Sequence, residues 1–199
     1  MFANSTVAAA LLLSLLVPAT AQAQANEAFE RPNLVLFANG GGNSSLTDLD
    51  DAGSASLETG WSAGGGVGVQ LNPYLAVRGT FDFAQSDGEG ATALSGQSLN
   101  RYFYGGDVQL RYPTASGFAP YLLLGAGAVT IDSPDVGTFD SFTKFAGKGG
   151  LGVEYALPQS SVGLFAQASS YVYDFDRNGF DKTQVDLLWT AGLSYRLSY

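Results

Sequence analysis

From about residue 33 to the end, apolar and polar positions alternate along the chain. In residues 61–71, Trp61, Ala63, Val67, Val69 and Leu71 fall on one face with Gly65, and Ser62, Gly64, Gly66, Gly68 and Gln70 fall on the other. Only an extended strand sorts residues with a period of two. Residues 189–199 repeat the pattern, with Trp189, Ala191, Leu193, Tyr195, Leu197 and Tyr199 opposite Thr190, Gly192, Ser194, Arg196 and Ser198. Further alternating runs start near Leu75, Tyr102, Pro120, Lys144 and Val162. With a first strand near 33–41, the pattern predicts eight strands.

The connections differ by turn. Asn72-Pro73, residues 113–117 and residues 158–161 are compact turn sequences. Residues 43–57, 85–98, 132–141 and 174–183 are polar, rich in Gly and Ser, and acidic, with Asp48, Asp50, Asp51, Asp87, Glu89, Asp132, Asp135, Asp140, Asp174, Asp176 and Asp181 against Arg177 and Lys182. They read as four long loops. Short turns on one rim and long loops on the other are the layout of an outer-membrane barrel.

Residues 7–17 break the alternation with a continuous apolar run, followed by Pro18 and the small-residue stretch 19–25. The run is shorter than the roughly 20 residues that cross a bilayer as a helix. Followed by small-x-small cleavage motifs, it predicts a secretory signal peptide, residues 1–25, cut after Ala23 or Ala25. The usual positive charge before the run is missing, since residues 1–6 carry no Lys or Arg. A barrel domain then occupies residues 26–199.

Composition narrows the chemistry. The 199 residues are 46% hydrophobic but only 14% charged, with 18 acidic and 9 basic side chains and neither Cys nor His. A chain so poor in charge is short of solvated surface, because soluble domains carry about 25%. Missing Cys and His remove disulfides, thiolate metal sites and the commonest general base. A net charge of −9 argues against nucleic acid as a partner.

Side-chain size decides which face meets lipid. An eight-stranded barrel has room inside only for side chains or one small ligand. Opposite the bulky aliphatics lie small residues with Arg78, Asp82, Asp107, Gln109, Arg111, Lys144, Lys148, Glu154 and Arg196. Such a face suits a filled lumen in which opposite charges pair, with the aliphatic face turned to lipid. Ten residues from Trp61 to Leu71 span roughly 33 Å, which at about 45° of tilt projects to some 23 Å, near the ~25 Å apolar band of such barrels. Aromatics are expected at both interfaces, namely Trp61, Phe81, Phe83, Tyr102, Tyr104, Phe142, Tyr171, Tyr173 and Trp189 toward the long loops, and Tyr74, Tyr112, Phe118, Tyr155 and Tyr199 toward the short turns.

Thr190-Ala-Gly192-Leu-Ser-Tyr195-Arg-Leu197, closing on Tyr199, resembles the terminal-strand signal read by the barrel-assembly machinery. With the strand start Pro120-Tyr-Leu-Leu-Leu-Gly125-Ala-Gly127 and the Gly-rich second strand, the chain resembles the small eight-stranded outer-membrane barrels of the outer membrane protein beta-barrel domain family, such as outer membrane proteins A and X. The resemblance implies an outer-membrane location and the assembly machinery as a partner. It does not assign an activity.

Candidate chemistry is thin. Barrel enzymes of this kind use a histidine, absent here, and Asp82, Asp107 and Glu154 share their face with Arg and Lys, which favours ion pairs over acid–base catalysis. Asp174-Phe-Asp176-Arg-Asn178-Gly179 copies the start of a calcium loop, but Val185 stands where its closing Glu belongs, with Asp186 one place late. Asn-Gly between alternating runs is the stronger hairpin signal. The glycine runs 64–66 and 147–150 lack the ending of a phosphate loop. The expectation is therefore an all-β, eight-stranded antiparallel up-and-down transmembrane barrel. It has no catalytic, cofactor-binding or metal-binding residues and needs no cofactor. Its partners are outer-membrane lipids, the assembly machinery through the last strand, and an unidentified extracellular ligand of the loops. A narrow ion or small-solute channel and a soluble periplasmic barrel carrying an apolar ligand are the alternatives.

Overall fold

The computed structural model describes residues 32–47, 55–90, 97–132, 141–177 and 180–197. The predicted signal peptide, Tyr199 and the turn residues Asn178-Gly179 lie outside them. Nine strands follow one another: β1 (Asn33–Ser45), β2 (Ala55–Leu57), β3 (Gly60–Asn72), β4 (Leu75–Gly90), β5 (Ser98–Arg111), β6 (Phe118–Asp132), β7 (Phe142–Ala156), β8 (Val162–Arg177) and β9 (Phe180–Leu197). Eight of them pair in the order β4-β3-β1-β9-β8-β7-β6-β5, and a β4–β5 ladder closes the ring. Every pairing is antiparallel. The first and last strands meet, with Leu36 opposite Tyr195 and Ala38 opposite Leu193. Closure leaves no sheet edge inside the barrel wall, as a lipid environment requires. β2 is a short addition to the tip of β4.

The alternation read from the sequence sets the faces. On β9, Leu193 is 55% exposed and Tyr195 46%, while Ser194 between them is 4% exposed. Trp61, Val67, Val69 and Leu71 of β3 point outward and Ser62 and Gln70 are buried. The outer surface also carries Leu36, Val77, Phe81, Val108, Leu110, Leu122, Leu124, Phe145, Leu151 and Leu164. A continuous apolar belt of this size on a monomer needs a non-aqueous neighbour.

The short-turn rim follows the expected chemistry. Asn72 Oδ1 accepts the Tyr74 amide at 2.8 Å, and Gly117 takes φ +86° in the β5–β6 connection, where a side chain would be strained. The opposite rim differs from the expectation. Residues 85–90 and most of 174–183 are strand rather than loop, since β4 runs through Gly90 and the β8–β9 ladder continues to Arg177 opposite Phe180. Polar composition here does not mark a loop: Ser86 and Gly88 still turn inward and are buried, while Asp87 between them is exposed.

Candidate functional site

Inside the ring, each strand contributes inward side chains at every second position, and these meet in layers. Nearest the short-turn rim, Glu154 of β7 accepts from the Arg111 guanidinium at 2.8 Å, from Arg196 and from the Ser194 hydroxyl at 2.8 Å. Nearby, the Tyr121 hydroxyl donates to Gln167 at 3.2 Å.

The middle layer joins four charges. Arg78 Nε and Nη2 reach the two carboxylate oxygens of Asp107 at 2.7 and 3.3 Å. Lys148 Nζ donates to the same carboxylate at 2.9 Å and lies 3.9 Å from Asp82. Asp82 also accepts from the Tyr171 hydroxyl at 2.7 Å and from Asn39 Nδ2 at 3.4 Å. Arg78 stacks over the Phe37 ring, 4.9 Å from its centroid. Two cations and two carboxylates make this layer neutral, which the interior of a low-dielectric wall favours.

Tyr171→Phe removes a hydrogen bond to a charged acceptor without opening space, so it is expected to lower unfolding free energy by about 1.5–3 kcal/mol. Urea unfolding of the lipid-refolded barrel measures this, and an unchanged midpoint would contradict the assigned bond.

The third layer lies toward the other rim. Arg101 is fully buried, with Nη1 on Asp186 at 2.7 Å and Nη2 on Ser86 at 2.6 Å and on Asn43. The Tyr173 hydroxyl completes Asp186 at 2.7 Å. Packed against this layer is an apolar cluster that includes Leu99, Phe103, Val129, Ile131, Phe142 and Leu188. Phe103 stacks on Tyr171 at 4.2 Å between centroids.

Two expectations are thereby corrected. Phe142, Tyr171 and Tyr173 belong to this interior cluster, not to the interfacial girdle. They share strand parity with inward neighbours, and their position near the rim was mistaken for a lipid-facing one. The lumen is also less uniformly polar than its small residues imply. Trp61, Phe81, Tyr104 and Trp189 do face outward, as do Tyr112 and Phe118 at the opposite end.

Of the predicted lumen residues, Arg78, Asp82, Asp107, Gln109, Arg111, Lys148 and Glu154 are buried inside, while Lys144 is half-buried. Arg101 and Asp186 were missed. Arg101 lies one residue before the predicted strand start, but its parity with Asp107, Gln109 and Arg111 is the signal that finds it. Of the stretch that copies the start of a calcium loop, Asp174 pairs across the ladder with Thr183, whose hydroxyl donates to it at 3.0 Å, and Asn178-Gly179 lie outside the described residues. No group of acidic side chains suited to a metal occurs among the described residues.

Among the described residues, two small cavities lie between the layers. One of about 20 Å³ touches Arg78, Gln109, Arg111, Tyr121, Phe37 and Phe165. The other, about 10 Å³, lies beside Lys148 and Tyr171.

A sequence profile described as the outer membrane protein beta-barrel domain matches residues 8–197. No curated protein matches the chain. Among solved structures, Neisserial surface protein A is similar in fold, with a TM-score of 0.61 at 18% identity over 84% of this chain and 100% of that one. Outer membrane protein AlkL, in a structure determined in lipid bilayers, has a TM-score of 0.53 at 16% identity over 85% of this chain and 92% of that one.

Proposed function

We propose a function from one premise: the chain belongs to the outer membrane protein beta-barrel domain family, and it is an outer-membrane barrel. On our reading it is a non-catalytic structural or surface-presenting protein whose lumen does not conduct. The four connections at the rim opposite the short turns present acidic segments outside the cell and do any recognising. Outer-membrane lipids cover the apolar belt, and the assembly machinery takes up the chain through β9.

The observation that carries this reading is the packing of the lumen. Arg101 of β5 reaches Asp186 of β9 from the opposite side of the ring, Arg78 pairs with Asp107 on the neighbouring strand and Lys148 joins the same carboxylate from β7, and Phe103, Tyr171 and Leu188 add apolar packing. The gaps of about 10 and 20 Å³ between these layers are water-sized, which supports a filled lumen. A soluble carrier of apolar ligands would need the reverse arrangement, with aliphatic side chains lining the interior.

Planar-bilayer recording of the refolded protein tests the reading. The expected result is no discrete conductance above the lipid baseline. Steady single-channel steps that change amplitude in Asp107→Asn would establish the channel alternative instead.

A further inference from the structure

We propose that the lumen near the short-turn rim binds one small monovalent inorganic anion, of halide size, beside Arg111. The reasoning begins with charge. Arg101 has its own carboxylate in Asp186, and Arg78 and Lys148 share Asp107 and Asp82. Among the described residues, Glu154 is the carboxylate that faces both Arg111 and Arg196 at the short-turn end. Counted over those residues the layer carries one positive charge more than it neutralises; Arg196 is part-exposed, but the Arg111 side chain is buried, where uncompensated charge is costly.

The second observation is an unmade bond. Arg111 is 9% exposed, and its Nε is buried without a hydrogen-bond partner. A buried guanidinium N–H left empty calls for an acceptor that protein atoms do not supply. The third is space: the cavity of about 20 Å³ borders Arg111, Arg78 and Gln109. That volume admits one occupant of about water's size, which excludes carboxylates, phosphate and sulfate.

The cavity also borders Glu154, but both oxygens of that carboxylate are already engaged. Oε2 takes Arg111, and Oε1 takes Arg196 and Ser194. A water would fill the space but would leave the surplus charge standing. A halide fills it and offsets the charge. The site is independent of whether the barrel conducts.

Bromide substituted for chloride during crystallisation of the lipid-refolded protein gives the direct readout, an anomalous peak within the cavity. In parallel, urea unfolding is followed in chloride and in gluconate, which is too large for the cavity, at equal ionic strength. At a chloride concentration ten times its Kd, linkage raises the folding equilibrium constant about tenfold.

Arg111→Met removes the surplus charge and the empty donor together, so both the peak and the chloride dependence are expected to vanish. Glu154→Gln raises the surplus and is expected to strengthen the chloride dependence. No bromide peak in the wild-type protein, with identical unfolding in the two salts, means water only and overturns the proposal. A chloride dependence that survives unchanged in both variants marks a general salt effect and overturns it as well.

Discussion

Arg101→Met is expected to lower the unfolding free energy of the lipid-refolded barrel by about 3–5 kcal/mol. The guanidinium it removes is fully buried and touches Asp186, Asn43 and Ser86 at once. What remains is the Asp186 carboxylate, also fully buried, faced among the described residues by the Tyr173 hydroxyl. Most of the loss comes from that stranded charge and not from the missing attraction, because breaking a buried pair costs more than the pair contributes. The double variant Arg101→Met/Asp186→Asn is therefore expected to be clearly more stable than the single one. Equal instability of the two would show that packing, not charge pairing, holds this layer.

The second large effect belongs to the outer face. Leu151 is 65% exposed near the middle of β7, between neighbours whose outward positions are also apolar. Leu151→Arg places a guanidinium in the hydrocarbon, at an expected cost of about 2–4 kcal/mol if the site is near the bilayer midplane. The same change at Thr143, on the same strand and face but beside the rim, is expected to cost about 0–1 kcal/mol. Reversible unfolding from lipid vesicles measures both. A flat profile, with the two substitutions costing the same, would mean that β7 does not cross the bilayer.

The strand faces were legible because period-two patterning is a local property: Leu193 and Ser194 differ in exposure as their sequence parity demands. Where parity was set aside for composition, the reading failed. Rim position alone predicts Tyr171 and Tyr173 in the interfacial girdle, although they alternate in step with Phe165, Gln167 and Ser169, all buried. Strand ends beyond the lipid were illegible for a different reason. Residues 174–177 and 180–183 are mostly charged or polar, with Phe175 and Phe180 too few to set an alternating apolar face, and the Asn-Gly turn is the sequence signal for the ladder. Which charges pair was not readable at all. Lys148 and Asp107 are 41 positions apart, and their meeting depends on how the whole ring closes.

Because the chain has no native cysteine, single substitutions from Ala191→Cys to Tyr195→Cys, each carrying a nitroxide in the refolded protein, report the environment of every residue along β9. The prediction is an alternation, with labels at 191, 193 and 195 open to oxygen dissolved in lipid and those at 192 and 194 shielded from it. Labels at 192 and 194 in lipid, with 193 and 195 shielded, would reverse the faces and contradict the account.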